Sequence, residues 1–190
     1  MKLRPTERQL QLIATLEQFQ PADDEERDYL AAIRQLAATP RDAFGRHRYR
    51  PGHITASAFV LDPSREKLLL VHHAKLDRWL QPGGHVEPDD ETVVAAALRE
   101  VREETGVEQY ETCDERPFDL DIHRIPARPD APEHHHFDVR YCWIAADTTI
   151  RASSESLAVE WVPLAQWSER SNSDSLRRVA AKLKESSDVP

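Results

Sequence analysis

Apolar residues recur at three-residue steps at Leu10, Ile13, Leu16 and Phe19, which predicts a helix over Thr6 to Phe19, with Thr6 and Gln9 spaced as a capping box. Gln20-Pro21-Ala22 breaks it, and Asp23 or Asp24 is placed to cap a second helix whose apolar side includes Tyr29, Leu30, Ile33, Leu36 and Ala37. Beyond the basic, aromatic link Arg46 to Gly52 the period becomes that of strands. His53 to Leu61 and Lys67 to His73 are rich in β-forming residues, and Asp62-Pro63-Ser64 supplies the turn between them. Trp79-Leu80-Gln81-Pro82 leads to the pair Gly83-Gly84. A helix is expected from Glu91 to Thr105, capped by Asp89 or Asp90 and stopped by Gly106. Strands at Phe118 to Ile125, Phe137 to Ala145 and Val159 to Val162 follow, then a last helix from Ser173 to Lys184. Strands and helices in this order predict an α+β sandwich around a mixed sheet. The division expected is a helical extension over 1–50, a main domain over 51–170, and a C-terminal helix and tail over 171–190 packed on it. The N-terminal helices are read as packing against the body, with a lid and a homodimer contact as the alternatives.

A chain of 190 residues buries a sizeable core as one domain. Its 34 acidic and 25 basic residues give a formal charge of -9, which argues against a surface built to grip nucleic acid. Two cysteines, Cys113 and Cys142, are too few for a disulfide framework. The longest apolar runs fall short of a membrane span, and the first residues lead into charged sequence rather than an apolar signal core, so the expected place is the cytoplasm.

The candidate chemistry is concentrated between Gly83 and Val107. Arg99-Glu100-Val101-Arg102-Glu103-Glu104 puts three carboxylates on one turn of the expected helix, where spacings of three and four share a side. At 100 degrees per residue, Val93, Val94, Ala97, Leu98 and Val101 form the apolar stripe, with Glu100 and Glu104 along its edge and Glu103 slightly further round. Convergent like charges repel, and a hard divalent cation such as Mg2+, which takes oxygen ligands, offsets the repulsion. A solvated acidic face paired with Arg99 and Arg102 is the alternative.

Glu91, Arg99, Glu100, Val101, Glu103, Glu104, Gly106 and Val107 fall on the pattern G-x5-E-x7-R-E-U-x-E-E-x-G-U, with U aliphatic, and the stretch resembles the signature of the Nudix (MutT-like) hydrolases. One departure stands out: six residues, not five, separate Gly84 from Glu91. A one-residue insertion in a loop costs little closure entropy, and the helical register beyond Glu91 is unaffected. The resemblance implies an α/β/α fold and a pyrophosphohydrolase using Mg2+, with Mn2+ as a substitute, on the diphosphate linkage of a nucleoside diphosphate joined to another moiety. It implies a small-molecule nucleotide partner and neither nucleic acid nor membrane. Glu100 and Glu104 are the first-choice metal ligands, Glu103 binds directly or through water, and Gly84 is the backbone carbonyl in question. Glu103 and Glu104 then serve the catalytic step, Arg99 orients a glutamate through a bidentate pair, and Glu91 supports the site from behind the ligands. The general base is expected on a later loop at Glu155, with Glu160, directly before Trp161, as the runner-up. A nucleotide-sensing module without turnover is the competing reading, motivated by the inserted residue and the helical extension.

The histidines are a second anomaly. His134, His136 and Asp138 alternate, so on a strand they share one face, His123 is placed to join them, and His85 follows the glycine pair. These residues are candidates for binding substrate or a second metal, against the plainer reading of a polar strand end. Subfamily marks are absent: Asp121 and Ile122 stand where the ADP-ribose hydrolases carry proline, and His123 where the diadenosine polyphosphate hydrolases tend to carry Tyr. Trp79, Phe137, Tyr141 and Trp143 are aromatics able to stack a base, but the core is their more common destination.

Overall fold

A computed structural model describes residues 4–74, 77–153, 156–170 and 174–185. The chain begins with α1 (Glu7–Leu16) and α2 (Asp24–Ala37). Thr6 caps α1 in the expected capping box with Gln9, and the Asp23 side chain accepts from Glu26 N at the start of α2. These helices are fastened by buried polar side chains rather than by apolar contact alone. Gln9 Nε2 donates to the carbonyls of Ala37 and Thr39, at 2.7 and 2.9 Å, which ties α1 to the end of α2. The buried Glu26 takes Ala22 N on one carboxylate oxygen and Leu120 N on the other, holding α2 to a strand nearly a hundred residues on.

Strand β1 (Gly52–Leu61) is buried throughout, and β2 (Lys67–His73) has the bounds the sequence predicts. Two short strands, β3 (Arg78–Leu80) and β4 (Gly83–His85), were not expected, because three residues carry no readable period. Helix α3 (Val93–Thr105) follows, then β5 (Tyr110–Cys113), β6 (Asp119–Ile125), β7 (His134–Ala145), β8 (Ser156–Pro163), α4 (Leu164–Arg170) and α5 (Asp174–Glu185). Strands β5 and β8 and helix α4 differ from expectation in existence or extent. The apolar part of β7 gave only its second half; the polar start at His134 is held as strand by its ladder with β6.

The strands join in the order β3-β2-β1-β7-β5, with β4 also paired to β1, β6 to β7 and β8 to β2. Contacts gather in two units: Met1–Ser57 with Gly83–Leu98 and Glu115–Tyr141, and Ala58–Pro82 with Arg99–Asp114 and Cys142–Pro190. In the first, β1 lies against β4 in the register Thr55↔His85 and Ser57↔Gly83, and β6 runs beside β7 from Asp119↔Arg140 to Ile125↔His134. Phe137 and Tyr141 are buried there. In the second, β2 is flanked by β3 and β8, Phe59 packs edge-on against Trp167, and the buried Trp143 donates its indole N–H to Asp114 O at 2.8 Å. Three of the four candidate base-stacking aromatics are thus core, and Trp79 stacks on His72 with ring centroids 5.0 Å apart. No helix among the described residues is long and apolar enough to cross a membrane.

Candidate active site and a histidine cluster

The helix bearing the glutamates starts two residues later than expected. Thr92, not Asp89 or Asp90, caps it, its hydroxyl accepting from Ala95 N at 3.1 Å. Asp90 closes the preceding loop instead: its carboxylate accepts from Glu87 N at 2.7 Å while its own N–H donates to Glu87 O. Arg8 on α1 donates to both Glu87 O and Asp90 O, at 2.6 and 2.9 Å. The loop with the extra residue is therefore fixed by its own turn and by the N-terminal helix. Glu91 is exposed, one residue ahead of the cap. At the other end Gly106 has φ 75, a left-handed conformation that stops the helix, and its N–H returns to Arg102 O at 2.9 Å.

Val93, Ala96, Ala97 and Val101 bury one side of α3, leaving the glutamates along the edge of that stripe. Arg99 Nη1 donates to Glu100 Oε1 at 2.9 Å and to Glu103 Oε2 at 3.1 Å, so one nitrogen bridges two glutamates. The Glu100 side chain is 16% exposed and that of Glu103 52%, so Glu100 is the more firmly held. Glu104 is half-buried. Glu100 and Glu103 share Arg99, and Glu104 lies on the same helix edge. Like charges on one turn hold apart unless a cation lies between them. The donors are hard oxygens on a packed helix, which suit a small divalent cation. Glu155 lies outside the described residues, and Glu160 is exposed on β8.

Gly83 is required for contact. A Cβ there would fall 2.3 Å from Ser57 Cβ and 2.7 Å from Ala56 O, so only glycine lets β4 lie on β1. Gly84 pairs with Ala56 in the same ladder.

The alternation of β1, β6 and β7 creates a polar stripe that the sequence showed only in part. At one end Arg140, buried, is bound by three carboxylates: Nε to Asp138 at 3.1 Å, Nη1 to Asp119 at 3.2 Å and Nη2 to Asp121 at 2.7 Å. Burial works against the guanidinium's charge, but Asp121, Asp138 and Asp119 outweigh it and hold its pKa above the ordinary value. Asp138 also accepts from Thr55 and Ser57, at 2.9 and 2.7 Å. Expected at substrate, Asp138 is instead 3% exposed, and both its oxygens are engaged by the protein.

The other end of the stripe is histidine. His136 and His134 on β7, His123 on β6 and His85 on β4 come together, as their alternation suggested, and His53 on β1 lies among them, which the sequence analysis missed. His53 ring centroids are 4.7 Å from His136, 5.0 Å from His85 and 5.2 Å from His134, and His123 is 5.5 Å from His136. The signal for His53 was an imidazole at the start of a strand that is buried throughout. Burial, then repulsion from His53, His123, His85 and His134, takes the His136 pKa down to about 2, and His53 is lowered first by burial as well.

A profile of the NUDIX domain matches residues 51–183, well over half the chain. The protein belongs to the Nudix family. The chain is a hydrolase acting on phosphoric anhydrides, and the family generally uses a divalent metal. Phosphatase NudJ of Escherichia coli (strain K12) and that of Shigella sonnei (strain Ss046) are each 35% identical over 116 residues, spanning 54% of this chain and 74% of theirs. Among solved structures, a C. elegans Ap4A hydrolase binary complex has a TM-score of 0.51 at 19% identity, covering 70% of this chain and 95% of that one. The NUDIX domain of Shewanella oneidensis NrtR complexed with ADP ribose has a TM-score of 0.53 at 20% identity, covering 70% and 86%. These likenesses bear out the α+β fold with a mixed sheet.

Proposed function

We propose that this Nudix hydrolase is a cytoplasmic, Mg2+-dependent enzyme that cleaves the diphosphate linkage of a nucleoside diphosphate joined to another moiety. The observation that carries the reading is the acidic edge of α3, with Arg99 bridging Glu100 and Glu103. Glu100, Glu103 and Glu104 would hold the cation, which when bound supplies charge neutralisation for the diphosphate and activates the attacking water. Arg99 positions two of the carboxylates, and the apolar side of α3 fixes the helix so that the ligands stay in place. The carboxylates also accept protons or hydrogen bonds from water entering the site, the part expected of Glu103 and Glu104.

The test is a panel of nucleoside triphosphates, ADP-ribose, dinucleotides and nucleotide sugars with Mg2+ or Mn2+, assayed for released phosphate or nucleoside monophosphate. Turnover of one class with Mg2+ supports the proposal. No turnover on any of them, with micromolar binding of one, would replace it with a nucleotide-sensing module.

A further inference from the structure

We infer that His53, His85 and His136 form a transition-metal site, separate in its residues and its chemistry from the carboxylates of α3. Their ligand nitrogens all lie within 4.8 Å of one another, close enough that small side-chain rotations bring them onto a single ion. The three come from β1, β4 and β7, so the sheet, not a flexible loop, sets the spacing. Gly83 contributes by letting β4 close on β1, which places His85 opposite Thr55, two residues along from His53.

The surroundings prepare nitrogens rather than bury spare rings. His53 Nδ1 lies 3.2 Å from Arg48 O, a carbonyl that can only accept, so Nδ1 carries the proton and Nε2 keeps its lone pair. That Nε2 is fully buried without any hydrogen-bond partner, in a residue 0% exposed. Leaving such an atom unpaired is costly, and a metal bond removes the cost. His134 Nδ1 is fixed in the same way by Pro132 O at 2.8 Å, and His123 Nδ1 by Asp121 at 2.9 Å. On His53, one of the proposed ligands, a carbonyl on the far nitrogen is the arrangement that orients a metal-bound imidazole. Asp121 extends it to the Arg140 group, through which the sheet holds His123 beside His136.

Three imidazole nitrogens favour Zn2+, Co2+, Ni2+ or Fe2+ over Mg2+, which takes oxygen. Three protein ligands leave a position for water or an anionic group, the pattern of reactive rather than closed sites.

The experiment is Co2+ titration of the full chain without a histidine tag, followed by visible absorption, with Zn2+ competition and excess Mg2+ present throughout. The expected result is one equivalent of Co2+ in low-coordinate nitrogen ligation, displaced by Zn2+ and retained in Glu104→Gln. His53→Ala and His85→Gln should each weaken binding by about a hundredfold or more. His85 is half-buried on a three-residue strand, so His85→Gln keeps the test sound if His53→Ala unfolds, and far-UV circular dichroism reports which variants are folded. No uptake by the parent, displacement by Mg2+, loss of the bands in Glu104→Gln, or unchanged binding in folded His85→Gln would each overturn the site. Hydrolysis is read separately, so failure here leaves the pyrophosphohydrolase reading intact.

Discussion

Glu103 on α3 is 52% exposed and shares Arg99 with its neighbour Glu100, whereas Asp119, Asp121 and Asp138 surround Arg140 at exposures of 0 to 7%. Both are carboxylates around one arginine, yet the physics differs. The α3 group is local, within five residues, partly solvated and therefore cheap to rearrange when a cation arrives. The sheet group joins β6 to β7, has lost most of its water, and is held only because each charge has its opposite within hydrogen-bond reach. An arginine at a partly solvated helix edge can be spared by the fold; an arginine inside a sheet cannot.

The largest expected effect follows from that contrast. Arg140→Leu should lower stability by about 3–5 kcal/mol, because it leaves three buried carboxylates facing one another, while Arg99→Leu should cost about 1 kcal/mol or less. Urea unfolding of the two variants measures both, and equal losses would dissolve the distinction. Next comes Glu104→Gln, expected to leave the unfolding midpoint in place and reduce turnover by about a hundredfold or more at saturating Mg2+. Glu103→Gln should lose less, being the more exposed member of the edge; parent-level turnover in Glu104→Gln would remove the carboxylate platform. The smallest effect sharpens the account of how α3 is set. Thr92→Ala should cost about 1 kcal/mol through the lost cap, with Asp90→Ala acting instead on the Glu87 turn and the Arg8 contacts. Helix content by circular dichroism, followed through thermal melts, separates them: helix fraying in Asp90→Ala but not in Thr92→Ala would return the cap to Asp90.

Helices α1 and α2, the bounds of β2 and the glutamate edge were legible in the sequence because each depends on neighbours within a turn or a pleat: Thr6 with Gln9, Asp23 with Glu26, Glu100 with Glu103. Caps were less so. Asp90 and Thr92 are both good capping residues, and which one serves is decided by whether the backbone N–H within reach belongs to Glu87 or to Ala95. The short strands β3 and β4 escaped for a related reason, since a three-residue strand exists only through its partner.

His134, His136 and Asp138 could be set on one face from their alternation, a local property of any strand. Their company could not. Which strand lies beside β7, and in what register, depends on pairing between segments tens of residues apart, and it is this pairing that draws Asp138 to Thr55, Ser57 and Arg140 and leaves His136 among imidazoles. The sequence by itself determined the periodicities, the acidic helix edge and the family they resemble. Only the tertiary structure decided that Asp138 belongs to the sheet and that His53, at the start of β1, has a ring nitrogen within 4.8 Å of those of His85 and His136, because burial and strand register are properties of the folded chain.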